Sequence, residues 1–341
     1  LKPNSTSSGH LRPSLHIHPP SHHITSLHLI TMERVNRIAS HVANGLFAES
    51  GLLPSPTSTL MSSGTPADDD VVICWSKRTA VGKAGKGNFK DTPAEDLLAA
   101  LFKAVVAETK VDASKIGDCV IGNVLQPTAG AATTRMAMFL GDLPKEVPCA
   151  AVNRQCSSGL QAMATIAAAI KTGSIDCGLA GGVESMSMYN ITSGVDPKKL
   201  SPAVGENDLA AACLMSMGIT SENVAAKYNI SRETQDKMAV ESHAKALAAQ
   251  KNGLFDSEIL PINTTIKDKQ GNRKPVTVTK DEGPREGTTM EGLAKLKAAF
   301  QQGGSTTAGN ASQVSDGAAL CLMARRSTAK EMGLPIIARF R

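Results

Sequence analysis

Aromatic side chains are scarce in this chain: they make up 3% of its 341 residues, with one Trp and two Tyr. A core here cannot rest on stacked rings, so Ala, Val, Leu, Ile and Met must fill it, as in Ala-rich helices packed closely on a sheet. No apolar run approaches the roughly 18 residues of a membrane span, so no spanning helix is expected. The seven cysteines (Cys74, Cys119, Cys149, Cys156, Cys177, Cys213 and Cys321) include no Cys-x-x-Cys, are odd in number and lie mostly in apolar surroundings. That pattern excludes a disulfide framework, argues against a metal site, and fits reduced thiols in an intracellular protein. Charge imbalance is also small, at +5, and Lys and Arg are dispersed rather than striped, which argues against a nucleic-acid surface. Histidine almost vanishes after His41, leaving His243 alone.

Six of the eight histidines fall in residues 1–31, among Pro and Ser, with no helical or strand period. A metal-binding tract is conceivable, but a disordered or untranslated-like extension is the better reading. Met32 opens a different composition, in which Arg34-Val35 is followed after five residues by His41-Val42. This resembles the N-terminal type 2 peroxisomal targeting signal. Val35, Ile38 and Val42 fall on one helical face, suited to the groove of an import receptor, so residues 32–43 are read as a receptor-binding helix. Val42 stands where that signal more usually has Leu or Ala. Residues 43–70 are rich in Ser, Pro and Gly and read as a linker, completing a segment from 32 to 70.

The folded region is expected from Val71. Val71–Trp75, Cys119–Val124 and Val147–Val152 read as strands, and Thr92–Thr109 and Thr133–Leu140 as helices, with Thr92 the N-cap of the first. A strand at Cys177–Met186 contains paired glycines, which place backbone close to another element. Strands alternating with helices argue an α/β layered sheet with helices on both faces. Residues of about 189–292 differ in character: helices at Ser221–Tyr228 and Ser231–Asn252, then a strand-like Lys274–Thr279, suggest an inserted loop domain. Sheet-like sequence resumes at Thr306–Met323.

Between the strand ending at Val152 and an Ala-rich helix lies Asn153-Arg154-Gln155-Cys156-Ser157-Ser158-Gly159-Leu160-Gln161-Ala162. A cysteine in that turn sits at the positive end of a helix, where backbone N–H groups stabilise a thiolate and can hold an oxyanion. Those are the requirements for nucleophilic acyl transfer. An ordinary buried cysteine also fits a small-residue turn, and it is the flanking string that favours the nucleophile.

That string resembles the nucleophile motif of the thiolase family, the acyl-CoA C-acyltransferases. Further strings in the family's order are Ala180-Gly181-Gly182-Val183-Glu184-Ser185-Met186-Ser187, Met217-Gly218-Ile219-Thr220-Ser221-Glu222 and Thr307-Ala308-Gly309-Asn310-Ala311-Ser312. The resemblance covers roughly 71–341. It implies a layered αβαβα fold of two similar halves, here an N-terminal domain at 71–330 carrying the loop domain, with the start of a second half at 331–341. It also implies a homodimer, thiolytic cleavage of 3-ketoacyl-CoA in fatty-acid β-oxidation, and coenzyme A as substrate with no cofactor. Cys156 would be the acyl-carrying nucleophile, with its own N–H helping to hold the thioester oxygen. Ser312 is a candidate contact to the pantetheine arm, although a loop cap bonded to its own backbone explains it equally. Met217 is a candidate for the pocket wall. His243 reads as a solvated surface residue. With the targeting-like helix, the expected location is the peroxisome.

The family's Gly-His-Pro, Cys-x-Gly-x-Gly and Asn-Glu-Ala-Phe strings, which supply the imidazole, the second thiol and an oxyanion-hole asparagine, do not occur here. A thiolase truncated at its C-terminal half, represented by a fragment or an incomplete gene reading, is the favoured expectation, and these 341 residues alone are expected to be inactive. A genuinely short, non-catalytic thioester-binding or dimer-partner protein is the alternative. A ketoacyl-synthase-like condensing role fits less well, because those enzymes lack the Asn153–Gly159 string.

Overall fold

A seven-stranded mixed sheet carries the site, and alternation along its strands divides the core into two faces. The computed structural model describes residues 65–190 and 197–341. The readings of 1–31 and 32–43, and most of the 43–70 linker, lie outside them. Strands β1 (Val71–Arg78), β2 (Gly82–Lys83), β3 (Asp118–Gly122), β4 (Cys149–Val152), β5 (Cys177–Ser185), β8 (Ser315–Arg325) and β9 (Ala338–Arg339) form the sheet, in the order β4-β3-β5-β8-β1-β9 with β2 beside β8. β4, β3 and β5 run parallel; β8 runs antiparallel to both β5 and β1. β6 (Ile262–Lys267) and β7 (Arg273–Val278) pair only with each other, as an antiparallel hairpin.

Successive side chains of a strand point to opposite faces. Accordingly Cys119 and Ile121 of β3, Leu179 of β5 and Leu320 and Leu322 of β8 enter one cluster, while Val120, Ala180 and Met323 enter the other. Helix α1 (Ala94–Thr109) covers the first face, burying Leu97, Leu98, Leu101, Phe102 and Val105. Helix α2 (Ala131–Leu140) packs beside it. Helix α3 (Ser158–Lys171) covers the second with Ala162, Ile166 and Ile170, one per turn, and Gly173 beyond it takes a left-handed φ of +78°. Helices therefore flank the sheet on both sides. No described helix is long and apolar enough to cross a membrane. Helices α4 (Met217–Tyr228) and α5 (Arg232–Lys251) lie in the stretch between β5 and the hairpin.

Several boundaries differ from expectation for identifiable reasons. α1 is capped at Pro93, not Thr92; the Thr92 hydroxyl pairs instead with Thr264 of β6, 2.7 Å away. β3 ends at Gly122 because Asn123 and Val124 turn toward the Glu184 side chain. The strand expected at Thr306–Met323 begins only at Ser315. Before it, the chain is held in a turn by side chains of two helices. Glu222 of α4 accepts from the N–H groups of Ser305 and Thr306 at 2.8 and 2.7 Å. Asn310 donates to Asp236 of α5 at 2.9 Å.

Candidate active site

β4 ends at Val152 and α3 begins at Ser158, so Asn153–Ser157 must reverse the chain direction within five residues. Gln155 achieves this with a φ of +50°, a left-handed conformation that residues other than glycine seldom adopt and that marks strained functional turns. Ser158, 4% exposed, stitches the turn: its Oγ accepts from the Arg154 N–H at 2.9 Å and donates to the Gln155 carbonyl. The N–H groups of Ser157 and Ser158 donate to the carbonyls of Arg154 and Gln155. Cys156 stands at the apex, exposed, two residues before the first helical residue. The N-terminal, positive end of the α3 dipole faces that position.

The turn can sit so low over the sheet because β3 ends in glycine. A Cβ on Gly122 would come 2.5 Å from the Ser158 carbonyl carbon and 2.7 Å from the Gly159 nitrogen. Gly182 of β5 lies beside the same spot, its Cβ position 3.3 Å from the Gly122 oxygen and 3.8 Å from the Gly159 Cα. Of the paired glycines read from the sequence, Gly181 admits the β8 backbone, its Cβ position 2.4 Å from the Ala319 oxygen, whereas Gly182 makes only ordinary contact with Gly159.

Behind the turn lies a network that sequence reasoning did not assign. Glu184 accepts from the Val124 N–H at 2.9 Å and the Asn123 amide at 3.1 Å. Asn123, 3% exposed, also donates to the Val183 carbonyl and accepts from the Gln126 N–H. Burial pushes the Glu184 carboxyl above its ordinary range, against the pull of these donors. Its sequence signal was a single acid following an apolar, glycine-paired strand.

Thiol chemistry separates the cysteines by environment. Burial pushes Cys74 up to about 11 and Cys177 up to about 12, and holds Cys119 well above its ordinary value, so these thiols stay protonated. Cys156 and Cys213 are the exposed thiols among the described residues.

Ser312 lies three residues before β8. Because β8 is antiparallel to β5, with Asp316 opposite Ser185, Ser312 falls at the same end of the sheet as Cys156. Three strand intervals separate β4 from β8, about 14 Å by ladder spacing. Ser312 is exposed, and its Oγ donates weakly to the Gln313 carbonyl at 3.4 Å. Met217 opens α4 and is 70% exposed. That helix meets the Ser312 loop through Glu222, and its Gly218 lies against the Phe300 ring. His243 is not simply solvated: it is half-buried, and its Nδ1 accepts from the Arg285 N–H at 3.2 Å.

The profile of the family described as "Thiolase, N-terminal domain" matches residues 71–327. The chain belongs to the thiolase family. Over 306 residues it is 51% identical to the peroxisomal 3-ketoacyl-CoA thiolase A of Rattus norvegicus, covering 90% of this chain and 69% of that protein. The peroxisomal 3-ketoacyl-CoA thiolase of Homo sapiens is 49% identical over the same share of this chain and 71% of its own. Among solved structures, the dimeric peroxisomal thiolase of Saccharomyces cerevisiae superposes with a TM-score of 0.73 at 44% identity, covering 81% of this chain and 69% of that one. The helix–sheet–helix layering around Cys156 is thus part of a thiolase fold.

Proposed function

We propose that this thiolase chain carries the acyl-accepting half of 3-ketoacyl-CoA thiolysis, in the peroxisome and within a homodimer, with Cys156 as nucleophile. The exposure of Cys156 at the strand–helix turn carries the reading, and the names of the rat, human and yeast relatives support the substrate, compartment and assembly. The Cys156 thiolate attacks the 3-keto carbon, forming a C–S bond while the carbonyl electrons move to oxygen. As they return, the C2–C3 bond breaks; its electron pair leaves on C2 of acetyl-CoA, which takes up a proton. The shortened acyl group remains on sulfur until the thiolate of a second coenzyme A displaces Cys156. Every step is carbonyl addition or elimination without net redox change, so coenzyme A serves as substrate and no cofactor is called for. N–H groups at the start of α3, that of Cys156 included, are placed to receive the oxyanion.

Ser312 and Met217 enter as the contact to the pantetheine arm and as pocket wall. Residues 32–43 enter as the segment an import receptor would bind. The base for the Cys156 thiol and the acid for C2 are, in this family, an imidazole and a second thiol from strings that these 341 residues do not contain. The expected behaviour of the chain alone is therefore a single acylation without turnover. Mass measurement after exposure to acetoacetyl-CoA should show one acetyl group gained, mapped to Cys156 and absent in Cys156→Ala. Acetylation elsewhere overturns the assignment, and no adduct at all means that this chain alone is inert.

A further inference from the structure

We infer that Asn153 is a positioning residue for Cys156, its carboxamide coupling the nucleophile's turn to the Glu184-anchored end of β3. The inference rests on the reading of Cys156 as nucleophile. Asn153 stands three residues before the cysteine and uses both ends of its amide. Its Nδ2 donates to the Val124 carbonyl at 3.0 Å, and its Oδ1 accepts from the Gln155 N–H at 2.9 Å. Gln155 is the residue held at positive φ, so this second bond falls on the strained link of the turn. A carboxamide has one donor end and one acceptor end, so fixing the donor end fixes which atom faces Gln155.

What fixes the donor end is the Val124 carbonyl, and Glu184 holds the backbone on both sides of that residue. Its Oε2 accepts from the Val124 N–H at 2.9 Å, and its Oε1 from the Asn123 amide at 3.1 Å and the Leu125 N–H at 3.4 Å. A carboxylate, acceptor on both oxygens, suits a place where three donors converge. The bonds thus form one relay from Glu184 through the backbone on either side of Val124 and the Asn153 amide to Gln155, which is bonded covalently to Cys156. An elbow held this way keeps the Cys156 thiol and N–H aimed along the start of α3, where the dipole favours the thiolate. The stitch made by Ser158 closes the turn from the helix side; Asn153 closes it from the strand side.

The test is site-resolved alkylation of the full chain by iodoacetamide across a pH series, read by peptide mass spectrometry. Cys213, exposed and outside the relay, is the internal standard. In Asn153→Asp the acceptor toward Gln155 survives, but an oxygen replaces the donor facing Val124. The Cys156-to-Cys213 rate ratio at neutral pH is expected to fall about tenfold as the thiol loses its place at the start of α3. Asn153→Ala should fall less, and Glu184→Gln, which keeps the shape, less again. General loosening would instead expose the buried Cys74 and Cys177 to the reagent; should Asn153→Ala do so, the two shape-conserving variants decide. An unchanged ratio in variants whose buried thiols stay protected overturns the relay. A wild-type Cys156 that reacts no faster than Cys213 and takes no acetyl group from acetoacetyl-CoA overturns the nucleophile reading itself. The two failures are therefore distinct.

Discussion

Gly122 and Ser158 touch backbone to backbone: a Cβ on the glycine would lie 2.5 Å from the serine carbonyl carbon and 2.6 Å from its oxygen. One hydrogen atom at the end of β3 thus sets how close α3, the helix after Cys156, comes to the sheet. Gly122→Ala must push α3 outward or strain β3. The expected loss is about 1–3 kcal/mol, the usual range for overpacking a filled site. Urea unfolding measures it, and Cys156 alkylation in the same protein reports the displaced turn. Stability within error of wild type would show that α3 yields without resistance.

Two acids near the site should respond to pH with opposite signs. Burial raises Glu222, but the N–H groups of Ser305 and Thr306 outweigh it and hold the carboxyl below its ordinary range. With the folded value below the unfolded one, the contribution of Glu222 is complete above the unfolded value and is lost as pH falls through the folded one. For Glu184 burial wins, and the folded value lies above the unfolded one. Its charge is a cost at neutral pH that protonation relieves as pH falls through the raised value. In denaturation between about pH 7 and about pH 3, Glu222→Gln should flatten the acid-side decline of stability, whereas Glu184→Gln should steepen it. Identical slopes for both variants would refute the assignment.

Asp70 gathers Arg326 at 3.1 Å and Arg339 at 3.2 Å, all three side chains largely covered. This ties the entry to β1 to the short helix Arg326–Glu331 and to β9. The Ala67 N–H first, then Arg339 and Arg326, hold the Asp70 carboxyl below its usual range. The Nη2 of Arg339 has no partner among the described residues, so this guanidinium relies on its Nη1 contact. Asp70→Asn should lower Tm at neutral pH, and the gap from wild type should close on acidification, because the wild-type contribution is lost as pH falls through the depressed folded value. A gap that persists at acid pH would mean packing, not charge, is responsible.

Asn310 and Ser312 sit two residues apart in one string but should behave differently. Asn310 bonds Asp236, which is 2% exposed, the Ser305 carbonyl, and the Thr307 N–H at 2.7 Å. Asn310→Ala removes all three bonds, leaving Asp236 with Arg232 alone, and should cost about 2 kcal/mol. Ser312→Ala removes one weak exposed contact and should change stability by less than about 0.5 kcal/mol. If Ser312 meets the pantetheine arm, its variant weakens coenzyme A binding in calorimetry while leaving Tm in place.

Much of the architecture was legible because its signals are local. The apolar run at Cys177–Ser185, nearly continuous, is a strand buried on both faces, and the sheet places it between β3 and β8. The helix expected to start at Ser231 is capped there, the Ser231 side chain accepting from the Thr234 N–H. Reading failed where a long-range partner took over: Thr92 left its helix for Thr264, and the apolar, small-residue stretch before Ser315 became a turn because Glu222 and Asp236 reach it. His243 looked solvated on a polar helix face, and only the fold brought the Arg285 N–H to it.

The sequence by itself determined the placement of Cys156 between a strand and a helix and the string around it that makes it the proposed nucleophile, because both are a matter of neighbours along the chain. Tertiary structure decided what holds that cysteine in place. Val124, Asn153 and Glu184 lie far apart in sequence and meet only because β3, β4 and β5 lie side by side, and hydrogen bonds of this range leave no periodicity to read.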